Sequence, residues 1–147
     1  MRTRSLFAIA VVVVGAFAMT GSMPVSAAMP QRVTIHTIRD ANGDVWSSSG
    51  AFVDAGTMAD ASVHFGGPST FHTFRTFTGD EGTFMMRADV VVTPTADPNV
   101  LALNGRWSVV SGTGAYATLH GAGSIAESFD TAGFSIVGDW TGSVTVG

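Results

Sequence analysis

Apolar and polar residues alternate with a period of two along most of the chain after residue 28. One face of the segment 83–93 carries Phe84, Met86, Ala88, Val90 and Val92, and the other face carries Met85, Arg87 and Asp89. Successive side chains of a strand point to opposite faces, so this pattern predicts half-buried β-strands. No segment combines helical spacing of apolar residues with helix caps, so we expect an all-β protein.

Turns rich in glycine, asparagine and aspartate separate the alternating segments. The predicted strands cover residues 31–39, 45–54, 70–78, 83–93, 100–111, 121–129 and 134–146. The segment Ala55–Ser69 is less regular, and it contains a short strand at Ala61–Phe65 or forms a mobile loop. About eight strands joined by short turns predict an antiparallel up-and-down β-barrel, because closure removes the sheet edges. A two-sheet β-sandwich is the alternative.

Residues 1–27 have the pattern of a secretory signal peptide. Arg2 and Arg4 precede the apolar run Leu6–Met19, and small residues follow up to Ala27. This order predicts export and cleavage after Ala27. A retained membrane anchor is the alternative, although the apolar run is shorter than the roughly 20 residues of a membrane span. We therefore expect a secreted protein with one β-barrel domain at 28–147.

Charge and composition exclude several classes of function. Arg2 and Arg4 are two of the seven basic residues, and all eleven acidic residues follow residue 27, so the domain has a formal charge of 5 − 11 = −6. An acidic domain without a basic cluster is a poor partner for nucleic acid or anionic membranes. The chain has no cysteine and no lysine, which excludes disulfides, thiolate metal sites and Schiff-base chemistry. We expect no cofactor.

The segment Gly105–Gly123 reads GRWSVVSGTGAYATLHGAG and joins two predicted strands through a glycine turn. It resembles the allene oxide cyclase-like and dirigent-like β-barrel group, in which a strand is followed by Gly-Gly-Thr-Gly, an aromatic residue and a glycine that opens the next strand. The matching positions are Gly112, Thr113, Gly114, Tyr116 and Gly121. Ser111 stands where the first glycine is usual.

The resemblance implies an eight-stranded antiparallel barrel, commonly trimeric, with a largely apolar lumen. Some members of the group cyclise or couple reactive apolar molecules in that lumen by shaping and orienting them. The matching glycines permit positive φ angles and close approach of backbones, so the motif carries the fold and no catalytic residue. A homo-trimer is therefore an expectation from the resemblance.

Glu127 and Arg75 are the candidate catalytic residues. Glu127 alternates with Ile125 and Phe129, and Arg75 alternates with Thr73 and Phe77. If both apolar faces line one barrel, a carboxyl and a guanidinium project into the same lumen. A carboxyl in an apolar site is suited to general acid–base catalysis, whereas a neighbouring arginine would keep it ionised and offer a ligand contact. A structural ion pair is the alternative, and a one-residue register slip would turn both side chains outward.

Four aromatic residues are candidates for ligand binding. They are Trp46, Trp107, Tyr116 and Trp140. Aromatic side chains also fill protein cores, and core packing is the alternative for each of them.

Metal binding has little support in the sequence. The histidines His36, His64, His72 and His120 show no local spacing typical of metal ligands. The segment Asp40–Asp44 lacks the glycine position of a calcium-binding loop and instead has the Asn-Gly pair of a hairpin turn. We therefore expect no metal site.

The sequence favours a secreted β-barrel that binds a small apolar molecule in its lumen. One alternative is a cofactor-independent cyclase or isomerase that acts on a flexible apolar substrate. A second alternative is a non-catalytic surface or interaction protein whose barrel is packed solid. The position of Arg75 and Glu127 relative to the lumen distinguishes these interpretations.

Overall fold

A computed structural model describes residues 28–147, and the predicted signal peptide at 1–27 lies outside the described residues. The strands are β1 (Gln31–Asp40), β2 (Gly43–Gly50), β3 (Ala55–Phe65), β4 (Thr70–Gly79), β5 (Thr83–Pro94), β6 (Val100–Gly112), β7 (His120–Asp130) and β8 (Ser135–Thr145). Each strand pairs antiparallel with the next, and β8 pairs with β1. The predicted eight-stranded up-and-down barrel is therefore confirmed, and the sandwich alternative is wrong. No helix within 28–147 is long and apolar enough to span a membrane.

The barrel has two different ends. The turns after β1, β3, β5 and β7 lie at one end, which we call the open end. The loops after β2, β4 and β6 lie at the other, which we call the closed end. A single 3₁₀ turn, Gly114–Tyr116, follows β6 at the closed end.

Aromatic side chains pack solidly inside the closed half of the barrel. Trp46 makes edge contacts with Phe77 and Phe84, at centroid distances of 5.8 and 5.2 Å, and the two phenyl rings stack at 4.9 Å. Tyr116 covers this cluster at the closed end, with its ring centroid 4.9 Å from that of Phe84. These large buried surfaces supply much of the hydrophobic stabilisation that a chain without disulfides needs.

A buried carboxylate ties the closed-end loops together. Asp54 accepts hydrogen bonds from the Tyr116 hydroxyl at 2.6 Å and from the backbone amides of Ala55, Asp80 and Glu81 at 2.8, 3.0 and 3.2 Å. Burial alone would raise the pKa of Asp54, but these hydrogen bonds outweigh it and hold the pKa below its ordinary value. Burial raises the pKa of Tyr116, and the hydrogen bond to Asp54 raises it further. The loop after β2 is thereby joined to the loops after β4 and β6.

The glycine turn after β6 lies under this carboxylate. Gly114 has a φ of +59°, which favours glycine, and its neighbours contact the loop after β4 through the bond from the Ala115 amide to the Glu81 carbonyl at 3.0 Å. Gly112 leaves no room for a side chain, because a Cβ there would strike the Tyr116 backbone. The turn therefore places Tyr116 across the closed end of the barrel.

Segment 55–69 was the least regular in the sequence, but most of it forms a regular strand. β3 runs from Ala55 to Phe65 and pairs with β4 along its length, so neither a mobile loop nor a strand limited to Ala61–Phe65 is correct. A β-bulge between Asp60 and Ser62 adds one residue. The bulge changes which alternate residues face inward, and such a change hides the period-two pattern from sequence analysis.

The junction between β2 and β3 is short. It has three residue pairs, Val45–Thr57, Trp46–Gly56 and Ser47–Ala55, whereas every other junction has at least eight. β2 ends at Gly50 instead of the predicted Asp54, because the chain reverses between Ser48 and Asp54, where the Ser48 amide donates to the Asp54 carbonyl at 2.8 Å. The part of β3 between Thr57 and the open end therefore has a strand neighbour on one side only, which is β4.

Candidate functional site

Arg75 on β4 and Glu127 on β7 both point into the lumen. Each is 6 % exposed, and Nη1 of Arg75 lies 3.5 Å from Oε1 of Glu127. Their alternation with buried neighbours places them there, since Thr73 and Phe77 flank the arginine and Ile125 precedes the acid on the same faces. The structure therefore brings together the two residues that the sequence indicated, in the lumen and not on the outer wall.

Two further charged residues extend this pair. Arg75 donates from Nε to Oδ1 of Asp60 at 2.8 Å, and Arg39 donates from Nη1 to Oδ2 of Asp60 at 2.7 Å. Nε of Arg39 also lies 2.9 Å from Oδ2 of Asp44 on β2. The ion pairs thus connect β1, β2, β3, β4 and β7, and they bridge the gap where β2 and β3 no longer pair.

The ion-pair partners in this network keep Asp60 and Arg39 in their charged forms. Burial alone would raise the pKa of Asp60, but the charge and hydrogen bond of Arg75, with those of Arg39, hold it below its ordinary value. Burial alone would lower the pKa of Arg39, but the hydrogen bond and charge of Asp60 and the charge of Asp44 raise it instead. Asp60 is consequently ionised and Arg39 protonated at neutral pH.

The two oxygens of Glu127 have different surroundings. Oε1 accepts hydrogen bonds from the Thr37 hydroxyl at 2.8 Å, from the Trp140 indole at 2.8 Å and from Arg75 at 3.5 Å. Oε2 accepts none from residues 28–147. It is not completely buried, so solvent or a ligand can reach it. Nη2 of Arg75 is in the same position, without a protein acceptor in this part of the chain. Glu127 therefore keeps an unused hydrogen-bond acceptor, and Arg75 keeps an unused donor.

A cavity of about 170 Å³ lies over these groups at the open end. Its polar floor is formed by Arg39, Asp60, Arg75 and Glu127, and its walls are formed by Val63, Phe65, Phe71, Leu103 and Ile136. Phe65 is 79 % exposed and forms part of the rim. The cavity is smaller than the pockets of about 300–1,000 Å³ that hold drug-sized ligands. It suits a small molecule, or one end of a larger molecule that extends past the rim.

The four aromatic candidates separate into three positions. Trp140 belongs to the site, since its indole N–H reaches Glu127 and its ring lies 5.1 Å from the Arg75 guanidinium. Trp46 and Tyr116 lie in the packed closed half and do not line the cavity. Trp107 is buried against the glycines of β7 and β8, below the cavity. A ligand-binding role for these residues stays a prediction.

Sequence reasoning missed Arg39, Asp60 and Thr37 as parts of the site. Arg39 and Thr37 continue the alternation of Val33 and Ile35, so the period-two pattern of β1 contains the signal for both. The position of Asp60 depends on the bulge that follows it, and no local signal marks that bulge.

The histidines do not form a metal cluster in residues 28–147, where no group of three or more potential ligands lies close enough together. His64 and His72 stack on the outer wall with ring centroids 5.0 Å apart. His36 contacts Asp139 at 2.8 Å on the same outer wall.

Comparisons with protein-family models, with curated proteins and with solved structures gave no match to this chain. The resemblance to the allene oxide cyclase-like and dirigent-like group therefore stays a prediction.

Proposed function

We propose that this protein binds a small, mostly apolar molecule with one polar end at the open end of its barrel. The observation that carries the proposal is the pair Arg75 and Glu127, which lie inside the lumen on the charged floor of a cavity with apolar walls. Buried charges are costly to leave without partners, and Nη2 and Oε2 have none in the protein, so a donor and an acceptor are available to a ligand.

The formal charges of the floor indicate the kind of polar end. Arg39 and Arg75 supply two guanidinium groups, and Asp60 and Glu127 supply two carboxyl groups. A ligand with a net charge would leave one of these groups unbalanced in an apolar cavity. A neutral end with one donor and one acceptor, such as an alcohol, satisfies Oε2 of Glu127 and Nη2 of Arg75 together.

A matched pair of probes tests this assignment. Benzyl alcohol and toluene are nearly equal in size, and only the alcohol has a hydroxyl. In NMR titrations of the purified protein, we expect benzyl alcohol to cause saturable shifts at Phe71, Leu103 and Ile136. We expect the affinity for toluene to be lower by about tenfold or more. Glu127→Gln should remove most of this preference, because the amide replaces an ionic acceptor.

A filled cavity provides the second arm of the experiment. Ile136→Trp places a large side chain in the cavity, and Val137→Trp is the control because Val137 is 40 % exposed on the outer wall. We expect the first variant to abolish binding and the second to retain it. Native mass spectrometry of the protein from its own host should show a bound small molecule. Failure of both probes to bind, together with a ligand-free native mass, would overturn the proposal.

A cofactor-independent isomerase or cyclase is the second candidate, and Oε2 of Glu127 favours it. An unpaired carboxylate oxygen in an apolar cavity is suited to moving a proton, with Arg75 placed to neutralise developing negative charge. Such an enzyme would convert the copurifying molecule into a product of equal mass and different retention time. Glu127→Gln would bind this molecule and lose the conversion, whereas a binding protein would show no conversion in either form.

We also propose membership of the allene oxide cyclase-like and dirigent-like group, assembly as a trimer from that resemblance, and secretion from the signal-peptide pattern of residues 1–27. Support comes from the eight-stranded closed barrel and from the glycine turn at Gly112–Gly114, which lies between two adjacent strands. The packed closed half fits the solid-barrel alternative, whereas the cavity at the open end supports ligand binding. Sedimentation of the purified protein tests the trimer, and N-terminal sequencing of the exported protein tests cleavage after Ala27.

A further inference from the structure

A second concave site lies on the outer wall of the barrel, near the closed end. It has a volume of about 560 Å³, and Arg32 on β1 and Arg106 on β6 form its two sides. The floor between them consists of short side chains on β7 and β8, including Ser124, Thr141 and Ser143. We call this the outer groove. It is separate from the lumen cavity, with which it shares no lining residue.

The register of the barrel explains why the groove has this form. Ser124 pairs with Arg106 on one side and with Thr141 on the other, and Ser143 pairs with Arg32. The two arginines are thus separated by three strand spacings, or about 14 Å across the sheet. Short side chains stand between two long ones, and this arrangement leaves an open trough with a cation at each side.

The pairing of the arginines distinguishes this groove from the rest of the surface. Arg39, Arg75 and Arg87 each lie within ion-pair distance of a carboxylate. Within residues 28–147, Arg32 and Arg106 have no such partner. In a domain with eleven acidic residues, both unpaired cations therefore line the same groove.

The acidic residue opposite Arg106 across the sheet forms its ion pair with another arginine. Asp89 stands opposite Arg106 on β5, but its carboxylate contacts Nη2 of Arg87 at 3.1 Å. The exposed hydroxyls of Ser124 and Thr141 lie 3.3 Å apart and share one hydrogen bond, which leaves one O–H donor of the pair for a ligand. The floor also has Trp107 beneath it, with a buried indole N–H that finds no acceptor in this part of the chain.

We infer that the outer groove binds an oxyanion, that is, a sulfate, phosphate or carboxylate group carried by a small molecule or a saccharide. Two guanidinium groups supply charge-assisted hydrogen bonds, and serine and threonine hydroxyls supply neutral ones. This site is independent of the function proposed for the lumen. It gives a strongly acidic protein one local surface at which an acidic group is attracted.

Titration with simple anions tests the inference. Sodium sulfate, sodium phosphate and sodium acetate are compared with sodium chloride at equal ionic strength, and heparin oligosaccharides provide a polymer-borne sulfate. NMR shifts are followed at the Trp107 indole and at the Thr141 and Ser143 amides. We expect saturable shifts with at least one oxyanion and none with chloride. The anion that binds most tightly identifies the group, and tighter binding of the oligosaccharide identifies a saccharide source.

Charge-matched variants decide whether the groove is responsible. Arg32→Gln combined with Arg106→Gln should weaken binding by about tenfold or more, as expected from the loss of charge-assisted hydrogen bonds. Ala41→Glu combined with Ala96→Glu makes the same two-unit change in charge, at exposed turns of the open end, and it should leave binding unchanged. Absence of saturable shifts, or equal shifts in the double variant, would overturn the inference.

Discussion

The Tyr116 hydroxyl donates to Oδ2 of Asp54 over 2.6 Å, and this bond fastens the loop after β6 to the loop after β2. The phenol ring also packs against Phe52 and Phe84, with centroids 5.1 and 4.9 Å away. Its position thus depends on both the polar contact and the ring contacts. Substitution can separate the two.

Tyr116→Phe removes the hydroxyl and keeps the ring. We expect the free energy of unfolding to fall by about 1–3 kcal/mol, because Asp54 loses a buried hydrogen-bond donor. Urea unfolding would show a lower midpoint with an unchanged slope. In an Asp54→Ala background the same substitution should cost much less, and equal costs in both backgrounds would contradict a direct link.

Acid should destabilise the protein through Asp54 and Asp60. The folded-state pKa of each lies below its ordinary value, so the unfolded chain takes up protons first as the pH falls. Their contribution to stability is complete above the unfolded pKa of about 4 and is lost as the pH falls through the lower folded values.

Asp60→Asn tests this pH dependence. We expect the variant to be less stable at neutral pH, because Arg39 and Arg75 lose their shared partner, and to lose less stability between pH 5 and pH 2. The exposed loop residue Asp97 supplies the control, since Asp97→Asn should leave the acid profile close to that of the wild type. Parallel profiles for wild type and Asp60→Asn would show that Asp60 has no such role.

Gly123 and Gly142 face each other on β7 and β8 and leave room for the Trp107 ring. A Cβ at Gly123 would come within 2.7 Å of Cε2 of the indole, and one at Gly142 within 2.6 Å of Cζ2. We expect Gly142→Ala to destabilise the barrel by about 1–3 kcal/mol and to change the Trp107 indole resonance. Gly67→Ala is the control, because a Cβ there makes only an ordinary contact with Thr70. A Gly142→Ala variant as stable as Gly67→Ala would refute this steric account.

Phe134 has a φ of +51° in the turn before β8 and is 76 % exposed. A bulky side chain is unfavourable in this conformation, and exposure means that little burial would be lost on replacement. We expect Phe134→Asn to raise the stability by about 1 kcal/mol, measured by thermal unfolding. Phe134→Leu should give no such gain, because leucine has the same backbone cost.

The period-two pattern was sufficient to predict the barrel and the inward direction of Arg75 and Glu127. It worked on β4 and β7 because each keeps an unbroken alternation at these residues. It failed on β3, where the bulge after Asp60 shifts Val63 and Phe65 onto the inner face. The pattern also could not show that Arg39 and Asp60 meet, because that contact depends on how strands distant in sequence align across the barrel.

The short junction of β2 and β3 is a weak line in the barrel wall, that is, a boundary between neighbouring strands with few backbone hydrogen bonds across it. Three residue pairs hold it, and above them the strands are joined by the side chains of Arg39, Asp44 and Asp60. Local opening requires less free energy where fewer backbone hydrogen bonds must break, so amide hydrogens along this line should exchange before those of β5 and β6. The line ends beside the lumen cavity, and its opening would widen the mouth sideways while the rest of the wall stays closed. We expect a ligand too large for the mouth to enter by this route, at a rate set by the ion pairs of Arg39.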